Sequence, residues 1–394
     1  MAQSLFQHLK IAGISTVVPA DEIRLEDELQ YFGGNSKKAA RVTKIVGIDR
    51  RRVASHGITA ADLCQQAAET LLAEMVIDPN SIDALIFISQ GPDHFIPATA
   101  CILQHKLGLS KDCAAFDVNQ GCTGFVYGLW LAGSLIESRA CSRVLLLVGE
   151  SLVRLADTAN RIVTPVFGDC GTATLLEYNN EPSPAWFELG TDGSGAEALM
   201  VPTGGARVPF PTNAAEYEKY MAVRRDPNGT PWRLMRMYMD GGAIFDFTLN
   251  RVPGHLSSLL AYAGKKTEEI DWVILHQANK QIIQAIAEKT GFDLDKVPWN
   301  TFSTYGNQAG ASIPSAICHM VWGSLQEGPK EVLLSGYGVG LSWASAILTL
   351  RSPWCSGVRD YVLSADHVSP EEFCAKWIEK ITGQPPEENE KYDH

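Results

Sequence analysis

Apolar, strand-like runs alternate with helix-spaced stretches along most of this chain, and the alternation occurs twice. In the first half a helical segment from Ala60 to Met75 precedes "ALIFIS" (Ala84 to Ser89). "AAFDVN" then leads into a segment around Cys122, "RVLLLVGES" follows the helix after it, and "GTATLLEY" follows a loop. In the second half "DWVILHQA" runs into His276, "KQIIQAIAEKTG" reads as a helix closed by Gly291, and "SIPSAICHMVWGSL" reads as another. "EVLLSGYGVGLSWASAILTL" is strand, glycine loop, strand. Strands separated by helices of this length pack as layers, so the pattern predicts a layered α/β architecture. Both halves also set a reactive polar residue just after an apolar strand. This suggests an internal duplication, although no residue-level repeat is visible.

The bulk composition narrows function. The 394 residues are 45% apolar and 20% charged, enough for two core-bearing lobes. A net charge of −12 argues against a nucleic-acid partner. The start, "MAQSLFQHLKIAGIS", lacks a signal-peptide pattern, and no apolar run reaches the roughly 18 residues of a membrane span. Nine scattered cysteines show neither a C-x-x-C pair nor zinc spacing. They read as reduced thiols of a cytoplasmic protein, each by default a small buried hydrophobe, with no structural metal.

Two segments stand apart. Pro202 to Pro231 is rich in Pro, Gly and Asn and reads as a long loop or partial lid. From Ser352 on, the core pattern is expected to have ended. Ser369 as N-cap, Pro370 at the first helical position and acids in the first turn predict a short amphipathic helix, and the tail "QPPEENEKYDH" reads as disordered. The chain therefore divides into a first half (1–180), a linker with a lid-like insertion (181–236), a second half (237–351) and a C-terminal extension (352–394).

In "DVNQGCTGFVYGL", Gly121 and Gly124 permit a sharp turn from strand to helix around Cys122. A thiol at the first turn of a helix feels the positive end of the dipole, which favours thiolate, and the unpaired N–H groups there can hold an oxyanion. A core cysteine in a strand-helix corner would look the same on this segment alone. Two other stretches weigh against that: "ILHQANKQI" places His276 after an apolar strand with Asn279 one helical step on, and "STYGNQAGASIP" places Asn307 in a glycine turn before a helix. One Cys, one His and one Asn, each expected at the end of an apolar strand, make a nucleophilic set.

The sequence resembles the thiolase superfamily and, within it, the ketoacyl synthase III group of condensing enzymes. "DVNQGCTGFVYGL", "VFGDCGTATLL", "MDGGAIFDFTLNRVP", "HQANKQI", "GNQAGASIP" and "GYGVGLSWASA" carry the resemblance, in the family's order, from about Lys10 to Leu350. It implies a five-layered αβαβα thiolase fold built from two similar halves, and a homodimer. It implies Cys122 as the acylated nucleophile, His276 and Asn307 as helpers of condensation, and backbone N–H groups of Cys122 and Val339 as the oxyanion hole. Asn279, Phe167 and Gly338 fall at substrate-binding positions. No metal or redox cofactor is implied; the phosphopantetheine arm of coenzyme A or of an acyl carrier protein delivers the substrates.

The chain also departs from that pattern. Where housekeeping members have a tryptophan and an arginine ahead of "TGI", this one has Arg41 and Ile45 in "RVTKIVGI". Arg161 matches a family arginine that approaches the phosphates. Ile96, in "HFIPATAC", stands where an aromatic residue commonly reaches across the dimer to close the acyl tunnel. Usual basic docking positions appear as Asp246, Gln281 and Glu288, whereas Lys37, Lys38, Arg41, Lys44, Arg50, Arg51 and Arg52 crowd one stretch. That stretch, with Arg161, is expected to line the entrance and take the phosphate or the carrier, Lys37, Lys38 and Arg41 above all. These departures point to a specialised fatty-acid or polyketide pathway with a medium or aromatic starter, or a β-ketoacyl extender. The alternatives are an acyltransferase to an alcohol or amine on the same scaffold, a plant-type polyketide synthase, whose late glycine loop usually holds a proline, and a non-catalytic ketosynthase-like subunit.

Overall fold

The computed structural model describes residues 2–364 and 367–384. It is built around two mixed sheets. The first runs Trp354–Asp360, Leu9–Val18, Cys170–Tyr178, Arg143–Glu150, Ala84–Ile88, Ala114–Val118 from edge to edge. The second runs Ala2–Phe6, Ala185–Thr191, Ser342–Leu350, Lys330–Gly338, Trp272–Leu275. Four strands correspond between them. Leu9–Val18 pairs antiparallel with Cys170–Tyr178, which pairs antiparallel with Arg143–Glu150, which pairs parallel with Ala84–Ile88. Ala185–Thr191, Ser342–Leu350, Lys330–Gly338 and Trp272–Leu275 repeat that order and sense. The duplication thus lies in topology, where no residue repeat reveals it.

The layers follow from which side chains each strand buries. Along Ala84–Ile88, Ile86 and Ile88 turn inward to a core shared with Phe125, Leu129 and Ile136 of the helix Gly124–Glu137. Leu85 and Phe87 turn outward to Leu63 and Leu71 of the helix Ala60–Glu74 and to Leu103 of Thr99–Lys106. A strand covered on both faces is apolar at every position, which is why these runs lack alternation. The second sheet does the same: Val332 and Leu334 face Ile313, Ile317 and Val321 of the middle layer, while Leu333 faces Leu256 and Ile283 outside. Outer helices Gly241–Ala263 and Lys280–Thr290 complete the order α-β-α-β-α. Truncating one of these buried side chains, Phe87 or Leu146, to Ala costs about 3 kcal/mol or more.

The domain reading requires correction. The core does not end at Ser352: Trp354–Asp360 is the parallel edge strand of the first sheet, next to Leu9–Val18. Ala2–Phe6, assigned to the first half, belongs to the second sheet, and the supposed linker supplies Ala185–Thr191 to that sheet's interior. Chain ends thus cross between the two sheets. The insertion is not a plain loop either. It holds an Asn213-capped helix, Ala214–Met221, and a small pair, Arg224–Arg225 with Pro231–Trp232. It is fastened to the loop after Arg143–Glu150 by Arg233 donating to buried Asp157, Asn160 Nδ2 donating to the Pro231 carbonyl at 3.0 Å, and Met237 N–H donating to the Leu155 carbonyl at 2.8 Å. The C-terminal helix, Pro370–Thr382, starts as expected, with a capping box between Ser369 and Glu372. The expectation of disorder for the tail concerns residues that, from 385 on, lie outside those described. Among the described residues no helix is long and apolar enough to cross a membrane.

Candidate active site

Three turns converge between the sheets. The strand Ala114–Val118 ends, the chain turns at Gly121, and Cys122 precedes the helix Gly124–Glu137, with Gly124 N–H donating to the Gly121 carbonyl at 2.7 Å. Glycines let this turn sit against the late glycine loop. A Cβ on Gly338 (φ 154) would lie 2.8 Å from Cys122 Sγ, and one on Gly336 would lie 2.7 Å from the Cys122 carbonyl oxygen. Both positions therefore exclude a side chain. The close approach brings Val339 N–H to the Cys122 sulfur, which also accepts from its own N–H. Ser342 Oγ donates to the Val339 carbonyl at 2.8 Å and lies 3.1 Å from Thr123 Oγ1, tying the loop to the cysteine turn.

Burial decides the state of the sulfur. Desolvation pushes the Cys122 thiol up to about 11, against the downward pull of the Val339 N–H. The charge of buried Glu150, a carboxyl whose own pKa burial raises well above its ordinary value, adds a smaller upward contribution. This corrects the expectation of a thiolate favoured by the helix terminus. In the free protein the group is a thiol, with the two N–H groups beside it.

His276 follows the strand Trp272–Leu275, as expected. Its N–H donates to the Ser335 carbonyl at 2.8 Å, and its Nδ1 lies 2.8 Å from Ser312 Oγ. Ser312 Oγ already accepts from Gln277 N–H, so its own proton is available to Nδ1, which leaves the imidazole proton on Nε2. Burial lowers the His276 pKa to about 4, with a smaller upward pull from a backbone hydrogen bond to Ala309, so the ring is neutral at physiological pH. Ser312 was not legible as a site residue; it reads as an ordinary helix-start serine.

Asn307 corrects a detail of the sequence reading. It does not end an apolar strand but follows the short helix Asn300–Tyr305, and it meets Phe167 in an isolated parallel bridge. Its Oδ1 accepts from Ala309 N–H at 2.9 Å, which fixes the amide so that the Nδ2 protons remain to donate. Ala309 holds φ 44, an uncommon left-handed value for a residue with a side chain, in making this turn.

Cys122, His276, Asn307, Asn279, Phe167 and Gly338 all line one cavity of about 190 Å³, together with Ile244, Thr248, Ala278 and Ile282. Asn279 also caps the helix Lys280–Thr290 by accepting from Ile282 N–H. A second cavity of about 190 Å³ opens from Cys122 and is walled by Leu152, Leu155, Phe167, Leu199, Val201, Met237 and Val339. Among the described residues neither is lined by a charged side chain.

Comparison with known proteins fits this arrangement. The model of 3-oxoacyl-[acyl-carrier-protein] synthase III matches residues 116–193, and that of its C-terminal part matches 260–350. The chain is 30% identical over 343 residues to the beta-ketoacyl-[acyl-carrier-protein] synthase III of Neisseria gonorrhoeae, covering 87% of this chain and 99% of the other. It is 32% identical over 343 residues to that of Natranaerobius thermophilus, covering 86% and 98%. The chain belongs to the 3-oxoacyl-[acyl-carrier-protein] synthase III family. The crystal structure of 3-oxoacyl-(acyl-carrier protein) synthase from Burkholderia xenovorans LB400 superposes with a TM-score of 0.83 at 37% identity, covering 91% of this chain and 99% of that one. The protein is accordingly a ketoacyl synthase III-like condensing enzyme of the acyltransferase class with the thiolase fold.

Other sequence-predicted residues of this synthase III family member lie outside the two cavities. Ile96 is 86% exposed and lines neither cavity. Arg161 lines a separate polar pocket with Tyr31, Thr158 and Arg225, while its neighbour Ile162 lines the His276 cavity. Lys37, Lys38 and Arg41 lie exposed on the helix Ser36–Val46, of which only Val46 reaches that cavity. Arg50, Arg51 and Arg52 do not line an entrance. Arg51 is buried in an ion pair with Glu28, Arg50 pairs with Glu22, and Arg52 with Glu22 and Asp360. The Arg50–Arg52 part of the basic run is thus neutralised within the fold.

Proposed function

We propose that Cys122 takes an acyl group from a thioester and that His276 and Asn307 then support a decarboxylative Claisen condensation with a malonyl-type carrier-bound thioester. In the first step the acyl carbon bonds to Sγ, the donor's carbon–sulfur bond breaks, and the Cys122 proton ends on the departing thiol. In the second, the extender loses carbon dioxide and becomes an enolate, whose carbon attacks the acyl-enzyme and releases Cys122. Negative charge builds first on the acyl oxygen, within reach of the Cys122 and Val339 N–H groups, and later on the enolate oxygen, where Nε2 of His276 and Nδ2 of Asn307 donate. One observation carries the reading: a thiol, a neutral imidazole and an amide line one uncharged cavity, with Nδ1 of the imidazole held by Ser312 and Oδ1 of the amide held by Ala309 N–H. Fixed neutral donors in a low-dielectric site act strongly on a developing charge.

On this reading the His276 cavity admits the phosphopantetheine arm and the second cavity holds the acyl chain. Acyl carrier protein or coenzyme A delivers each substrate, with Lys37, Lys38 and Arg41 as carrier contacts and Arg161 beside the phosphates. The enzyme acts as a cytoplasmic homodimer. Ala114–Val118 is an edge strand with Phe95 and Ile96 exposed nearby, a surface suited to a second copy whose Ile96 closes the acyl cavity. The test is intact-mass spectrometry after incubation with a panel of acyl thioesters. The acyl mass should appear on the wild-type chain and be absent from Cys122→Ala.

A further inference from the structure

The acyl-side cavity has one feature that a plain hydrocarbon chain does not use. Its walls are apolar except for two carboxamides, Gln90 and Asn119. Both stand just past the ends of neighbouring parallel strands, Ala84–Ile88 and Ala114–Val118, whose last residues Ile88 and Val118 are paired. Gln90 is anchored through its backbone, its N–H donating to Glu150 Oε2 at 3.3 Å. Its amide lies directly over Gly121: a Cβ there would meet Gln90 Oε1 at 2.5 Å, so the amide reaches the turn that carries the nucleophile. Among the described residues neither the Gln90 nor the Asn119 side chain has a hydrogen-bond partner, whereas neighbouring Gln120 accepts from Thr123 Oγ1 at 3.1 Å. An acyl chain entering the cavity displaces water from these amides. Unless the acyl group bonds to them in return, their hydrogen-bonding capacity is lost. With no cation lining the cavity, a carboxylate on the chain would find no counter-charge, whereas a neutral oxygen fits.

Resting on the reading of Cys122 as the acylated residue, we infer that the preferred starter is an acyl thioester bearing a ketone or hydroxyl on its chain, recognised by Gln90 with Asn119 beside it. Gln90 is then a specificity-determining residue. A ketone takes an amide N–H, and a hydroxyl both gives and takes one hydrogen bond. A site built for such a bond discriminates against the analogue that lacks it.

The test uses the full chain and coenzyme A thioesters of one length: hexanoyl, and hexanoyl groups carrying an oxo or hydroxyl function at carbon 3, 4 or 5. Rates of acyl-enzyme formation are followed by intact mass. At least one oxygenated chain should load about tenfold faster than hexanoyl, and Gln90→Met, similar in shape but without hydrogen bonds, should bring that ratio to about one. Asn119→Leu should lower it by a smaller factor and stands in if the Gln90 variant does not fold; the wild-type ratio decides if neither does. Hexanoyl loading as fast as every oxygenated chain, or a ratio unchanged in Gln90→Met, overturns the proposal while leaving the condensing-enzyme reading intact. No acyl-enzyme from any thioester, or loading that survives Cys122→Ala, overturns that reading and this proposal with it.

Discussion

The two middle-layer helices occupy corresponding places under the two sheets, yet they meet the site differently. Gly124–Glu137 is unbroken, and its start offers mainly backbone: the Cys122 sulfur rests against N–H groups, with glycines clearing the approach. The opposing helical segment is Ser312–Ala316, a π turn Ile317–Val321 and Trp322–Leu325, preceded by the strained Ala309. Its start offers side chains: Asn307 held by Ala309 N–H, and Ser312 behind His276. On the proposed function a duplicated scaffold carries two chemistries: one end makes and holds a covalent acyl group, and the other supplies neutral donors to a transient anion.

Mutations can break this division. Cys122→Ala should abolish acylation outright, read as loss of the added acyl mass. His276→Ala and Asn307→Ala should leave Cys122 acylated and lower the condensation rate by ~10²–10³ each, since each removes one donor to the enolate oxygen. Loss of acylation in the His276 or Asn307 variant would mean that the two ends are not separate.

Ser312→Ala sharpens the comparison from behind the donor. It leaves buried Nδ1 of His276 without its partner, so the condensation kcat should fall by about tenfold to a hundredfold while the acylation rate holds. Single-turnover measurement of both half-reactions checks this, and Ser312→Thr should restore part of the loss.

The burial of His276 should be visible in stability. Its native pKa of about 4 lies below its ordinary 6.5, so the unfolded chain takes up this proton first as pH falls. The contribution is fully present above about pH 6.5 and is lost as pH drops to about 4, reaching up to about 3 kcal/mol. Buried Asp169, raised to about 6 by desolvation, acts with the opposite sign in part of that range. Urea denaturation of wild type and His276→Gln across pH 4–7 isolates the histidine, because the Asp169 contribution cancels in the difference.

The smallest effect concerns the surface. Reversing Lys37, Lys38 and Arg41 to Glu should lower kcat/KM for a carrier-bound substrate by about tenfold or less at low salt, and the loss should shrink as salt rises. Free coenzyme A thioesters should be affected less, because these side chains lie outside the cavity. An equal loss with both substrates would move the three residues from carrier docking to the phosphate.

What the sequence determined by itself was local. Strand ends followed by glycine and a reactive residue, caps at Asn279 and Ser369, and apolar runs buried on two faces are written in neighbouring residues, so the layered class and the Cys122, His276 and Asn307 set were legible. Tertiary structure decided what depends on distant neighbours. Trp354–Asp360 holds Ser356, Gly357 and Arg359 and so looks like surface, until pairing with Leu9–Val18 makes it a strand. Ser312 gains its role only because packing brings it to His276. The sulfur's state turned on the same distinction. The helix start favouring thiolate is visible in the sequence, but the desolvation that outweighs it arises only when the two sheets close over Cys122.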